Sequence, residues 1–181
     1  MTDVLVLPGR FFGPAAPVTW YPSVVAQRRG AEVHRVEWPD GAPISTAPGV
    51  VDWVTAVAEP ALDTLAEPGL VIGKSLGSLA AGVAADRALP AIWLTPLLAS
   101  PEVVAAIERS ESPVLLVGGT LDPAWDGEVA RRLTPHVLEI EDADHGLVVP
   151  GPVRSTVAVQ EEVVDAVEAF LDQIGWPSDV P

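Results

Sequence analysis

Near the middle of the chain, Gly73-Lys74-Ser75-Leu76-Gly77 sets a hydroxyl and two glycines at the spacing Gly-x-Ser-x-Gly. The five residues lie between the apolar run Leu70-Val71-Ile72 and a small-residue stretch, Leu76 to Ala85, that reads as a helix. A strand that turns this sharply into a helix lifts the serine hydroxyl above the sheet. Glycines two residues before and two after remove the side chains that would collide there. The first amides of the helix then aim at an oxygen gaining negative charge. The chemistry indicated is attack of the Ser75 hydroxyl on a carbonyl carbon. The plainer role for such a serine is the N-cap of a helix.

A serine nucleophile needs a base, and the base needs an acid to orient it. Of the three histidines, His34 lies within a strand-like run and His136 begins another, which suits structural roles. His145 stands in Asp142-Ala143-Asp144-His145-Gly146-Leu147, just past the strand-like Val137-Leu138-Glu139-Ile140. Open parallel sheets place their sites at that end of the strands. Asp122 follows the apolar run Val114-Leu115-Leu116-Val117 in Gly118-Gly119-Thr120-Leu121-Asp122-Pro123. Its competitors are Asp126, Asp142 and Asp144. Asp144 adjoins His145 and reaches its ring poorly, and Asp126 is expected inside the next helix. Helix capping ahead of Pro123 is the structural alternative for Asp122.

The order Ser75, Asp122, His145 is that of the α/β-hydrolases. On these three motifs the chain resembles that superfamily, in a compact form without a lid, over nearly its whole length. The resemblance implies an oxyanion hole built from two backbone N–H groups. One belongs to Leu76. The other comes from the loop after the first strand, Leu7-Pro8-Gly9-Arg10-Phe11-Phe12-Gly13, where related enzymes often have His-Gly and this chain has Pro8-Gly9. That alignment gives the second donor to Arg10, with Phe11 as the alternative. Phe11 and Trp125 are the residues expected to touch substrate, Trp125 having the core as its other placement.

Lys74 is the single lysine of the chain and adjoins the serine. Neighbours in a tight turn point apart and His145 supplies a base, so an ion pair or a place at a pocket rim is expected rather than Ser–Lys chemistry. Gly73-Lys74-Ser75 also imitates the end of a phosphate-binding loop. That motif needs a glycine at position 68, which is proline, and its loop would occupy the strand Leu70-Val71-Ile72. Nucleotide binding is therefore rejected. No histidine–carboxylate spacing points to a metal.

The elements that must position these groups alternate. Strands are expected over 3–7, 32–37, 70–73, 91–95, 114–118 and 136–140. A helix capped by Thr19 ends at Gly30. Others span 50–66, interrupted at Pro60, then 75–87, 102–109 and 124–133. The last, 157–174, carries Val163, Val164, Val167, Phe170, Leu171 and Ile174 on one stripe. Such alternation implies a doubly wound, mostly parallel six-stranded sheet with helices on both faces. The second and sixth runs, Glu32-Val33-His34-Arg35-Val36-Glu37 and His136-Val137-Leu138-Glu139-Ile140-Glu141, mix in charge as edge strands do. The order 2-1-3-4-5-6 of a minimal α/β-hydrolase fold puts those two at the edges. Proline-rich loops run from Arg10 to Pro17 and from Trp38 to Pro48, with a tail from Gly175 to Pro181. The short span from Thr95 to Pro113 leaves no room for a lid.

The 181 residues are expected to form one domain, 1–181, with a sizeable core. Apolar residues make up 49% and charged residues 19%, which excludes global disorder. No apolar run approaches a membrane span. The N-terminus reads as a first strand rather than a signal peptide. With no cysteine there is neither disulfide nor thiolate chemistry, which fits the cytoplasm. Ala, Val, Pro and Arg abundance beside one lysine suggests a GC-rich bacterial genome. A net charge of -15 repels phosphate backbones and anionic lipid, so neither nucleic acid nor a membrane is an expected partner. The expected function is a serine hydrolase of small carboxylic esters or thioesters, requiring no cofactor and no metal. Acyl transfer or lyase chemistry on the same three residues and a non-catalytic binding role on a hydrolase scaffold are its alternatives.

Overall fold

Strand and helix alternate along the chain, and the strands pair as that alternation demands. The computed structural model describes residues 1–11 and 13–177. β1 (Asp3–Leu7), β2 (Glu32–Arg35), β3 (Pro68–Lys74), β4 (Ala91–Leu94), β5 (Val114–Gly119) and β6 (His136–Ile140) form one sheet in the order β2-β1-β3-β4-β5-β6. Every neighbouring pair is parallel. The strands with mixed charge, β2 and β6, are the half-buried edges, and β1, β4 and β5 are buried throughout. Of the expected tail, residues 178–181 lie outside the described residues, as does Phe12 in the loop after β1.

Successive side chains leave a strand on opposite faces. Leu5, Leu7, Val71, Trp93 and Leu116 enter a core covered by α2 (Val50–Asp63), α3 (Ala81–Asp86), α4 (Pro101–Glu108) and α5 (Gly127–Leu133). Val4, Val6, Ile72, Leu94 and Val117 enter a second core covered by α1 (Pro17–Arg28) and α6 (Val153–Gln173). The stripe expected on the last helix is the face it buries, through Val163, Val167, Phe170 and Leu171. Among the described residues no helix is long and apolar enough to cross a membrane.

Several boundaries differ from expectation for local reasons. α1 begins at Pro17, whose missing N–H costs nothing in the first turn, and Ala16 holds the N-cap position. Thr19 lies inside the helix and donates its hydroxyl back to the carbonyls of Pro14 and Ala16, each at 3.0 Å. α2 runs unbroken through Pro60. Pro60 and Ala56, whose carbonyl loses its helical partner, both face solvent, while Val54, Ala58 and Leu62 stay buried on the other side. Asp126 is not inside α5 but caps it, accepting from the amides of Glu128 and Val129 at 3.0 Å. The segment after Ser75 is a 3₁₀ helix, Ser75–Ala80, before α3 takes over. Between Thr95 and Pro113 the chain holds α4 alone, so nothing is inserted over the carboxyl end of β4.

Candidate active site

β3 delivers Ser75 at the carboxyl edge of the sheet, and the backbone there is strained. Ser75 has φ 50°, the left-handed region that a residue with a Cβ rarely enters. Its two glycines are required by contact. A side chain on Gly73 would strike the Trp93 ring, and one on Gly77 would strike the backbone carbonyl of Leu7. Ser78 holds the turn from below. Its hydroxyl donates to the Ser75 carbonyl at 2.6 Å and accepts from the Leu97 amide at 3.1 Å.

The loops after β5 and β6 are laced together, and this brings two further groups to Ser75. The Leu121 amide donates to the Ala143 carbonyl at 3.0 Å, and the Asp142 amide to the Thr120 hydroxyl at 2.8 Å. Gly119 lets the Ala143 backbone pass where any Cβ would collide. Asp122 is buried, its side chain 0% exposed. One carboxylate oxygen accepts from the Ala124 amide at 2.9 Å and the other bonds His145 Nδ1 at 2.7 Å. An ionised carboxylate only accepts, so Nδ1 carries the ring proton. The opposite nitrogen, Nε2, is thereby left with a lone pair. It lies 2.7 Å from Ser75 Oγ and accepts the hydroxyl proton. The His145 loop is self-clamped by Asp144, which accepts from the amides of Gly146 at 2.7 Å and Val148 at 3.0 Å. Ala143 and Leu147 anchor it in the core beneath.

The loop after β1 passes beside the serine. A Cβ built on Gly9 would stand 3.6 Å from the Ser75 Cβ, so glycine permits the close approach. This loop is tied to the one after β2, because the Trp38 indole donates to the Pro8 carbonyl at 3.0 Å and Arg10 Nε to the Ala42 carbonyl at 2.9 Å. The Arg10 guanidinium lies 4.6 Å from the centre of the Phe11 ring, which is 81% exposed. Leu76 is buried at the start of the 3₁₀ turn.

Trp125 takes the core placement of the two weighed from sequence. Its ring covers Gly118 and its indole donates to Glu139 at 2.7 Å. It packs partly buried against the core, between β5 and β6. His34 also belongs to the framework, bonding Asp3 at 3.0 Å. Parallel pairing of β1 and β2 brings Asp3, Glu32 and His34 together, a cluster invisible in the linear spacing and remote from Ser75 at the amino ends of those strands.

Two clefts border the three residues. One, of about 820 Å³, opens between α1 and α6 and includes Lys74 and Gly146, neighbours of Ser75 and His145. The other, of about 740 Å³, is lined by Val50, Leu79, Leu97, Pro123 and Ala124 on the opposite side of the sheet.

Lys74 is where sequence reasoning fell shortest. It forms no ion pair among the described residues and is only 5% exposed. Its amine donates to the Thr95 hydroxyl at 3.1 Å and to the His145 carbonyl at 3.0 Å. Burial drives its pKa down from 10.5 to about 8, against the pull of the Asp122 and Asp144 charges. Between those two values the unfolded chain holds a proton that the folded chain has released, so stability rises with pH. This contribution is fully present above 10.5 and is lost as pH falls through about 8. Urea unfolding should therefore show wild type gaining on Lys74→Met as pH rises through that window. A constant difference between the two would contradict the buried amine.

No protein-family model matches the sequence, and no curated protein matches it. Solved structures do match in fold. Est1E from Butyrivibrio proteoclasticus superposes with TM-score 0.73 at 15% identity, over 96% of this chain and 88% of that one. A serine hydrolase without lid from Xanthomonas campestris superposes with TM-score 0.67 at 15% identity, over 99% and 84%. A Pyrococcus furiosus esterase gives 0.64 at 17%, over 95% and 81%. The fold is that of the α/β-hydrolase superfamily, in a minimal six-stranded form.

Proposed function

We propose that the chain is a serine hydrolase of small carboxylic esters or thioesters, acting through an acyl-enzyme on Ser75. The observation that carries this reading is the continuous line from buried Asp122 through His145 to Ser75, with both bonds at 2.7 Å. His145 Nε2 takes the Ser75 proton as Oγ attacks the carbonyl carbon, and Asp122 stabilises the imidazolium. The amides of Leu76 and Arg10 hold the oxyanion, with Phe11 the alternative to Arg10. His145 then gives its proton to the leaving alcohol or thiol. In the second half it draws a proton from water, whose oxygen attacks the acyl carbon and frees Ser75. None of these steps needs a cofactor or a metal.

The fold neighbours support a hydrolase. One is described as a serine hydrolase without lid, and Est1E has been seen with ferulic acid bound. Hydrolysis is favoured over acyl transfer because only α4 lies between β4 and β5, which leaves the carboxyl end of β4 open to water. An open cleft encloses few methylene groups, and full burial of each would give about 0.8 kcal/mol. Long acyl chains thus gain little. A panel of p-nitrophenyl esters and acyl thioesters should show a preference at or below about eight acyl carbons for that reason. Rate should pass smoothly through the solubility limit of tributyrin. A jump at that limit, or a strong long-chain preference, would mean that the loop from Arg10 to Pro17 or from Trp38 to Pro48 covers Ser75.

A further inference from the structure

Of the buried ionisable groups among the described residues, Asp122 bonds His145 and Asp3 bonds His34, while Lys74 has no part in the mechanism. Lys74 follows Ile72 on the face of β3 that looks toward α1 and α6, while the next residue, Ser75, turns away from it. Lys74 is almost wholly buried at the wall of the cleft between α1 and α6, with no carboxylate in ion-pair reach among the described residues. Such a burial is costly, and an apolar side chain of the same shape would cost less. The fold gains two bonds in return, and both go to loops of the site.

Among the described residues the His145 carbonyl accepts no backbone amide, and Lys74 Nζ is its partner at 3.0 Å. Thr95, the other acceptor, directly follows β4 with φ 44°, a strained conformation for a β-branched residue. Gly9 covers the lysine stem, and a Cβ there would stand 3.5 Å from Lys74 Cδ. The amine thus ties the loops after β4 and β6, and its stem runs beside the loop after β1. Two of these carry the proposed oxyanion donor and the proposed base.

We propose that Lys74 is a positioning residue, whose N–H bonds to the His145 carbonyl and the Thr95 hydroxyl hold the base in line with Ser75. This rests on reading Ser75 as nucleophile and His145 as base. The ring bonds to Asp122 and Ser75 set the imidazole's tilt, and the amine sets the height of the backbone that carries it.

The chain has no cysteine, so Lys74→Cys introduces a single thiol. Alkylation with 2-bromoethylamine rebuilds a side chain of lysine's length and charge, with sulfur in place of one methylene. Alkylation with 1-bromopropane gives the same length without the amine. The propylated protein should lose about 10²-fold in kcat, the cost of a base displaced by about an ångström, with KM little changed. The aminoethylated protein should recover most of the loss. Amide exchange over residues 142–148 should quicken in the propylated form and return to the wild-type rate with the amine. Full kcat in the propylated form, or exchange indifferent to the amine, would overturn the proposal. Should Lys74→Cys fail to fold, Thr95→Val and Thr95→Ser decide. The valine variant should lower kcat and quicken exchange while the serine variant does neither, and equal behaviour of the two overturns it. If wild type itself ignores a fluorophosphonate probe, the hydrolase reading fails. The exchange comparison still tests the grip of Lys74 on the loop.

Discussion

Ser75→Ala is expected to lower ester turnover by on the order of 10⁶, the loss seen where a full triad operates. The size of the effect follows from the line of bonds. In the proposed mechanism His145 and Asp122 move and stabilise the proton of one hydroxyl, and without that hydroxyl their alignment has no object. The residual rate comes from oxyanion binding alone. Stability should change little, because alanine removes one part-buried hydrogen bond and leaves the φ of 50° equally strained. Steady-state kinetics with a thermal unfolding curve separates the two. Turnover retained within tenfold on a folded variant would move the nucleophile elsewhere.

Asp122→Asn is expected to cut turnover by about 10⁴. The amide can offer His145 Nδ1 a donor where the carboxylate offered only acceptors. That favours the tautomer with the proton on Nε2, which cannot accept from Ser75. The carboxylate is fully buried, so no solvent ion substitutes for it. Asp144→Asn should cost far less, because the side-chain oxygen that clamps Gly146 and Val148 survives as a carbonyl. Asp126→Asn keeps a capping oxygen at the start of α5, away from the site, and should be nearly silent. Measured side by side, the three variants assign the acid. A crippled Asp144→Asn or Asp126→Asn beside an active Asp122→Asn would place it wrongly.

What could be read in the chain and what could not divide along a physical line. Strand order was legible because edge strands tolerate charge and buried ones do not. Glu32, His34 and Arg35 mark β2, and His136 and Glu139 mark β6. The elbow was legible because close packing leaves glycine the only residue at Gly73 and Gly77. His145 and Asp122 stood out as candidates next to strand ends, and the fold brings both to Ser75. Long-range contact was not. Trp125 could be read as core or as pocket wall, and only the pairing of β5 and β6 sets Glu139 beside its indole. Pro60 looked like a helix breaker until α2 turned it to solvent. Lys74 looked like a rim cation. Its burial depends on Thr95 and the His145 carbonyl, which lie far along the chain and meet it only in the folded sheet. Its position next to Ser75, on an otherwise apolar strand, was the one signal that a buried role was possible.

The most direct test of the account is the mass of the intact chain after exposure to a fluorophosphonate probe, followed by mapping of the modified peptide. One adduct per chain is expected, on Ser75, slowed in Asp122→Asn and absent from Ser75→Ala. An unmodified wild-type chain, or an adduct that persists in Ser75→Ala, would contradict it.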